Sequence, residues 1–300
     1  MKFLLFADLH YSPGRFKTLE WEALHTFQRR AEETGCDMII HAGDFCHRPL
    51  EVTDYIDAYN SFHIPSYHCL GNHDMDTCST EETVRLYNMP SDYYFFDKGG
   101  YRFIVLNTSY IKDGDNYITY SSSNYFQYPE KDLLPPHEIE WLKKAIDSSE
   151  YPCILISHAA FDRVNGIRNR EEVLDLINKA NEKKPYSVLM CINGHYHRDH
   201  LGISNGVIFY DMNAASQDWI GVVHDCFPKE ECDEILNLSR TIAFNDPLHA
   251  IVTLEGTTVT VEGMNSSYYM GVDRKKAGAS NFDGNGRPLY PSVQSFKVTV

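Results

Sequence analysis

The hydrophobic and polar positions in the first part of the chain alternate between strand-like runs and helix-like segments. Short apolar runs end near Ala7, Ala42 and Leu70, and polar residues at helical spacing occupy the segments between them. A helix is predicted over 16–33, and Gly35 follows it in a position favoured after helices. The apolar residues on one face of this helix are Leu19, Ala23, Leu24 and Phe27. This order predicts parallel strands joined by right-handed crossovers.

The pattern changes after residue 74. Two apolar and aromatic runs, 93–97 and 101–106, flank Lys98-Gly99-Gly100 and predict a β-hairpin. Residues 107–136 are polar and tyrosine-rich with little periodicity, which predicts a long loop. The other elements predicted here are helices over 137–148 and 171–180 and strands over 153–156, 188–192, 207–210, 249–254, 258–261 and 296–300.

These runs form two halves with a strand–helix–strand order. They predict an α/β fold in which two mixed sheets form a four-layer β-sandwich flanked by helices. Residues 1–264 are expected to form one domain. Residues 265–300 are expected to form a C-terminal tail with a terminal strand, packed on the same domain.

Composition and charge limit the classes of function. Of the 300 residues, 43% are hydrophobic and 23% are charged, which is ordinary for a well-packed soluble protein. The net charge of −15 disfavours general nucleic-acid binding, because a phosphate backbone would be repelled. No run is long and apolar enough to predict a membrane span. The eight cysteines lack the spacing of a disulfide framework, so we expect a reducing, cytoplasmic location. The sequence does not indicate an oligomeric state.

Candidate chemistry lies at the ends of the apolar runs. The segments concerned are Asp8-Leu9-His10, Gly43-Asp44, Gly71-Asn72-His73-Asp74, His158 and Gly194-His195-Tyr196-His197. Because the carboxyl ends of parallel strands meet at one edge of a sheet, these side chains are expected to converge. Oxygen and imidazole ligands without thiolate fit two divalent or mixed-valence ions of manganese, iron, zinc or cobalt.

In this order, the five segments resemble the calcineurin-like metallophosphoesterases over residues 8–197, about two thirds of the chain. The resemblance implies the calcineurin-like metallophosphoesterase fold and a dinuclear centre bridged by Asp44. It implies that one metal is held by Asp8, His10, Asp44 and His197, and the other by Asp44, Asn72, His158 and His195. The two carboxylates leave such a centre net positive by about two charges, or about one with a bridging hydroxide, which complements an anionic phosphoryl group.

The resemblance also implies that His73 contacts the substrate phosphate and protonates the leaving oxygen instead of binding metal. The neighbouring Asp74 is expected to hydrogen-bond the His73 imidazole and fix its tautomer, so both are candidate catalytic residues. The sequence departs from many relatives at His47, where they have an acidic or amide residue. It also departs in residues 159–161, which lack the relatives' proline.

Several further residues are candidates for contacts around the centre. His47 and His200 could support the metal ligands. The tyrosines between Tyr110 and Tyr128 could stack on an aromatic leaving group such as a nucleobase. The arginines that could contact a distal phosphate are Arg48, Arg163, Arg168, Arg170 and Arg198.

The function expected from the sequence is that of a dinuclear-metal phosphoester hydrolase acting on a small-molecule phosphoester. The first choice is a phosphodiesterase that cleaves a small nucleotide-like or glycerol-linked diester by in-line attack of a metal-bridging hydroxide. The alternatives are a phosphomonoesterase or a nucleotide diphosphatase. A non-catalytic binding scaffold is a remote alternative, because it predicts substituted ligands and every expected ligand is present.

Overall fold

Two six-stranded sheets form the centre of the protein. The computed structural model describes residues 1–12, 17–235, 237–283 and 287–300, and only the backbone of residues 17–20. The strands in this part of the chain are β1 (Lys2–Phe6), β2 (Met38–Ala42), β3 (Ser66–Cys69), β4 (Tyr94–Lys98), β5 (Tyr101–Val105), β6 (Tyr110–Asp113), β7 (Asn116–Thr119), β8 (Cys153–Ile156), β9 (Val188–Asn193), β10 (His200–Ser204), β11 (Val207–Asp211), β12 (Gln217–Trp219), β13 (Thr241–Ala243), β14 (Ala250–Glu255), β15 (Thr258–Glu262) and β16 (Phe296–Thr299). The α-helices are α1 (Lys17–Thr34), α2 (Thr53–Asn60), α3 (Thr80–Leu86), α4 (Pro136–Asp147), α5 (Arg170–Lys183) and α6 (Lys229–Glu234).

The first sheet has the strand order β16-β15-β14-β1-β2-β3. Strands β1, β2 and β3 run parallel, with Leu4 opposite Ile39 and Ile40 opposite Tyr67. The other neighbouring pairs in this sheet are antiparallel. Strand β16 pairs with β15, which brings the end of the chain into the same sheet as its beginning.

The second sheet has the order β10-β11-β9-β8-β5-β4. Strands β5, β8, β9 and β11 are parallel to their neighbours in that group, and the hairpin partners β4 and β10 run antiparallel at the two edges. Both sheets are therefore mixed, and the predicted fold class is confirmed. Strands β8 and β9 are fully buried, which explains their continuous apolar runs.

The core consists of apolar side chains packed between the sheets and beneath the helices. Phe3 of the first sheet and Phe103 of the second meet edge to face, with ring centroids 5.7 Å apart. On the outer side of the first sheet, Phe27 of α1 stacks on Phe6 at 4.2 Å. On the outer side of the second sheet, α4 and α5 contribute to a separate apolar cluster. Burying one such phenylalanine stabilises the fold by about 1.5–3 kcal/mol.

The first predicted helix has the expected register. Ala23, Leu24 and Phe27 are buried as the pattern required. Phe16, its predicted first residue, and the side chain of Leu19 lie outside the described residues. None of the helices in the described ranges is long and apolar enough to cross a membrane.

The prediction of an irregular loop over 107–136 is wrong in part. The segment contains the hairpin β6–β7, in which Asp113 pairs with Asn116 across Gly114 and Asp115. Gly114 has φ +60°, a conformation that two-residue hairpin turns require. The turn chemistry was present in the sequence, but the polar strands obscured it.

A small lobe follows β11 in the chain and was not predicted. Strands β12 and β13 pair within it, and Phe227, Leu238 and Ile242 contribute to its apolar cluster. The lobe matters for function because β12 reaches the site described next.

Candidate metal centre

The seven predicted metal ligands lie in the loops that follow five parallel strands. Asp8 and His10 follow β1, Asp44 follows β2, Asn72 follows β3, His158 follows β8, and His195 and His197 follow β9. The β1–β2 pairing continues into the first two loops, because the amides of Asp8 and His10 donate to the carbonyls of Gly43 and Asp44. Topology therefore brings residues from most of the chain to one edge of both sheets.

Five of these seven residues have a left-handed backbone conformation. Their φ values are +52° for Asp8, +54° for His10, +57° for Asp44, +72° for His195 and +52° for His197. Positive φ is uncommon for residues other than glycine, and it persists only where the surrounding structure imposes it. The unfavourable backbone conformation at these five residues therefore directs their side chains toward one another.

The first cluster of ligand atoms consists of Asp8, His10 and His197. The Nε2 atoms of the two imidazoles are 2.9 Å apart, and Asp8 Oδ1 lies 3.3 Å from His197 Nε2. His197 Nδ1 donates to the carbonyl of Gln217 at 2.9 Å, which fixes Nε2 as the nitrogen that faces the cluster.

The second cluster consists of Asp44, His158 and His195, with Asn72 beside them. Asp44 Oδ2 lies 3.1 Å from His158 Nε2, and Asn72 Oδ1 lies 3.1 Å from His195 Nδ1. Asp44 Oδ2 is also 3.8 Å from His10 Nε2 in the first cluster. Asp44 is therefore placed between the two clusters, as a bridging carboxylate would be.

The donor atoms fit a pair of cations. His158 Nδ1 donates to the carbonyl of Ala42 at 3.0 Å, so Nε2 of the neutral ring presents its lone pair to the Asp44 carboxylate. Two acceptors in contact require a proton or a metal ion between them. Burial lowers the pKa of His158, but Asp44 raises it to about 10, so a proton occupies this position when no cation does. Nitrogen and oxygen donors without sulfur match the ions expected from the sequence.

The expected contact between Asp74 and His73 is wrong. The Asp74 carboxylate is fully buried and accepts hydrogen bonds from the amides of Asp44, Phe45, Cys46 and Gly71 and from the Tyr87 hydroxyl. These donors hold the loops after β2 and β3 together. Asp74 therefore shapes the backbone that carries Asp44, and the imidazole of His73 has a different partner.

That partner is Asp76, which was not among the site residues predicted from the sequence. His73 Nδ1 donates to Asp76 Oδ2 at 2.8 Å, and His47 Nδ1 donates to the same oxygen at 3.0 Å. The other carboxylate oxygen accepts from Tyr125 at 2.6 Å and from Ser123 at 3.1 Å. Residues 72–75 form a 3₁₀ turn, in which side chains three positions apart lie on one side. The three-residue spacing from His73 to Asp76 was the available signal.

Residues of both candidate ligand clusters line a cavity of about 760 Å³. Three of the five candidate arginines, Arg48, Arg163 and Arg198, line this cavity. Arg163 is held by an ion pair with Asp211 and lies 4.6 Å from the centroid of the Tyr196 ring.

The other two candidate arginines and His200 contact groups other than the candidate ligands, whereas His47 contacts one of them. Arg168 donates to the carbonyl of Pro129 and Arg170 pairs with Glu171. His200 contacts Arg287, whereas His47 lies against the His10 ring with centroids 5.0 Å apart. Of the two histidines suggested as supports, His47 thus contacts the site.

The fold and the paired clusters define a metallophosphoesterase. The model of the calcineurin-like phosphoesterase family matches residues 1–199, so the chain belongs to that family and is a metal-dependent phosphoric ester hydrolase. The family uses a dinuclear metal centre, in agreement with the two ligand clusters.

Several solved protein structures share the fold of this chain. A dimetal phosphatase from Danio rerio has 14% sequence identity and a TM-score of 0.61, covering 88% of this chain and 95% of that chain. GAP50, the anchor in the inner membrane complex of Plasmodium, has 11% identity and a TM-score of 0.52, covering 92% of each chain. PhoD has 14% identity and a TM-score of 0.50, covering 90% of this chain and 68% of that chain. At these identities the likeness concerns the fold. No curated protein matches the sequence.

Proposed function

We propose that the protein is a phosphodiesterase that acts on a small nucleotide-like or glycerol-linked diester. The observation that carries this proposal is the pair of ligand clusters joined by Asp44 in a cavity of about 760 Å³. A phosphoryl group fills only a small part of that volume. Substituents on both of its ester oxygens can therefore enter with it.

In this proposal, one metal is held by Asp8, His10, Asp44 and His197 and the other by Asp44, Asn72, His158 and His195. Two divalent cations in these positions would supply an activated water for in-line attack on phosphorus and would neutralise the phosphoryl oxygens. The protein contributes fixed ligand geometry, because His158 and His197 are each oriented by a backbone carbonyl.

His73 is the proposed acid for the leaving oxygen. It lines the cavity, and its Nδ1 is engaged by Asp76, so Nε2 is the nitrogen left to face a substrate. Burial lowers the pKa of His73, but the Asp44 and Asp76 carboxylates raise it above its ordinary value. A protonated imidazole at this position can donate its proton to the departing oxygen. Asp76 is the positioning residue for this ring.

One observation favours nucleotide diphosphatase as the second candidate. Arg48 and Arg198 line the same cavity as the metal clusters and bring positive charge to it. Guanidinium groups bind phosphate oxygens in a bidentate manner, and a second phosphate on the substrate would meet them.

The test compares hydrolysis of bis(4-nitrophenyl) phosphate with hydrolysis of 4-nitrophenyl phosphate, each with manganese and with a chelator. The proposal expects faster, metal-dependent turnover of the diester. Asp44→Asn is expected to abolish turnover, and His73→Ala to lower it by about 10²–10⁴-fold with metal content retained.

Other outcomes identify the alternatives. Faster turnover of the monoester would replace the diester proposal with a phosphomonoesterase. If metal-loaded protein hydrolyses neither ester, the result would support the hypothesis of a non-catalytic binding scaffold. Loss of metal in His73→Ala would make His73 a ligand and overturn the role given to it.

A further inference from the structure

Two large aromatic side chains line the cavity while remaining open to solvent. Phe126 is 69% exposed and Trp219 is 47% exposed. Aromatic rings of this size are usually covered, and they carry a large apolar surface that favours a partner. Their place in the same cavity as the metal clusters makes the bound substrate the natural partner.

Phe126 follows a residue that contacts the part of the centre containing Asn72 and His73. The preceding residue, Tyr125, donates its hydroxyl to Asp76 at 2.6 Å and lies within 3.5 Å of Asn72 Nδ2. The rings of Tyr125 and Phe126 have centroids 4.4 Å apart, and Lys131 Nζ lies 5.6 Å from the Phe126 centroid. These contacts hold the exposed ring close to the second ligand cluster.

Trp219 lies in a strand that contacts a different part of the centre, the one containing His197. It lies in β12 two residues after Gln217, whose carbonyl accepts the hydrogen bond from His197 Nδ1. Alternate residues of a strand share one face, and both Gln217 and Trp219 line the cavity. The pairing of Trp219 with Thr241 of β13 fixes the strand that presents the indole.

We infer that Phe126 and Trp219 form the binding surface for a planar aromatic group of the ester. This inference rests on the proposed function and narrows it: the substrate is a nucleoside or aryl phosphoester, and a purely aliphatic, glycerol-linked ester is excluded. Stacking on an aromatic ring requires only a π-face, so a nucleobase and a simple aryl group share the recognition chemistry. The arginines of the cavity suit the anionic part of the same molecule.

The first test measures binding to manganese-loaded protein by calorimetry with AMP and ribose 5-phosphate, which differ by the adenine base. AMP is expected to bind about 5- to 100-fold more tightly. Trp219→Ala and Phe126→Ala are each expected to reduce that ratio, whereas Trp219→Phe, which keeps a ring, retains most of it. Tyr151→Ala is the matched control, because Tyr151 is 40% exposed and lies outside the residues that line the cavity.

A second pair of probes separates the two sources of the aromatic group. Phenyl phosphate and methyl phosphate are compared in the same way. If AMP binds much more tightly than ribose 5-phosphate but phenyl phosphate and methyl phosphate bind with similar affinity, the aromatic group is a nucleobase. If the affinity ratio is the same in both pairs, the surface accepts aryl esters in general.

Two results distinguish failure of this inference from failure of the proposed function. If the wild-type protein hydrolyses bis(4-nitrophenyl) phosphate faster than 4-nitrophenyl phosphate but binds AMP and ribose 5-phosphate equally, the aromatic surface is wrong and the phosphodiesterase proposal stands. The inference is also wrong if both alanine variants keep the wild-type ratio. If metal-loaded protein neither binds nor hydrolyses any of these esters, the proposed function itself fails.

Discussion

At the scale of single residues, the centre depends on side chains whose partners fix their orientation. His158 and His197 each donate a hydrogen bond from Nδ1 to a backbone carbonyl, and His73 donates one from Nδ1 to the Asp76 carboxylate. Asp76 also accepts from His47, so one carboxylate oxygen lies between two imidazoles. Such partners determine which nitrogen of each ring faces the cavity.

Replacing Asp76 by asparagine tests this role at the residue scale. Asparagine removes the negative charge that the two imidazoles share. With its oxygen facing the imidazoles, its NH₂ group, which cannot accept a hydrogen bond, would meet the hydroxyls of Tyr125 and Ser123. We expect kcat to fall by about 10- to 100-fold with little change in KM or in bound manganese. Steady-state kinetics and elemental analysis provide the measurements, and Asp115→Asn on an exposed turn is the control. An unchanged kcat would show that the orientation of His73 does not depend on Asp76.

At the scale of elements, the turns after the strands leave room for the ligands. A Cβ atom at Gly71 would lie 2.2 Å from both the amide nitrogen and Oδ1 of Asp44. At Gly43, which has φ +99°, a Cβ would lie 2.2 Å from His158 Nδ1. The glycines before Asn72 and Asp44 therefore permit the approach of two loops that carry ligands.

Gly71→Ala is expected to displace Asp44 and weaken manganese binding by at least about tenfold, because the backbone atom it meets cannot move aside cheaply. Gly202→Ala is the matched control. There the new Cβ has its nearest contact at 3.5 Å, an ordinary distance, so binding should remain at the wild-type level. Calorimetric titration with manganese compares the two variants. Wild-type affinity in Gly71→Ala would mean that the loops adjust without cost.

At the scale of the whole molecule, the centre lies where the two sheets meet. Asp8, Asp44 and Asn72 follow strands of the first sheet, and His158, His195 and His197 follow strands of the second. Cations held by both sets of residues would connect the two sheets. Ligands that bind only the folded state stabilise it by mass action.

Removal of metal is therefore expected to lower the melting temperature. At a free-metal concentration of 100 times Kd, the stabilisation is about 2.7 kcal/mol, which corresponds to a shift of several degrees in a protein of this size. Calorimetric or fluorescence melting with manganese and with chelator measures the shift, and Asp44→Asn should show little of it. Equal melting temperatures for the wild-type protein in the two buffers would contradict a centre that links the sheets.

The sequence by itself determined the strand–helix alternation of residues 1–74 and the strands that precede the candidate ligands. Its resemblance to a known family singled out the seven residues that meet at the ends of those strands. Apolar runs reveal buried strands through local periodicity, and parallel topology brings their ends together whatever their separation along the chain. Asp8, Asp44 and His158 could therefore be placed together without coordinates.

Only the tertiary structure decided which groups surround those residues. Three of the amides that donate to Asp74 belong to the distant residues 44–46. Its neighbour in sequence, His73, contacts Asp76 instead because the two residues lie in and beside a 3₁₀ turn. Phe126 and Trp219 are brought to one cavity by a loop and by the unpredicted lobe. Apart from the three-residue spacing of His73 and Asp76, these contacts depend on how loops pack, and no local pattern encodes that packing.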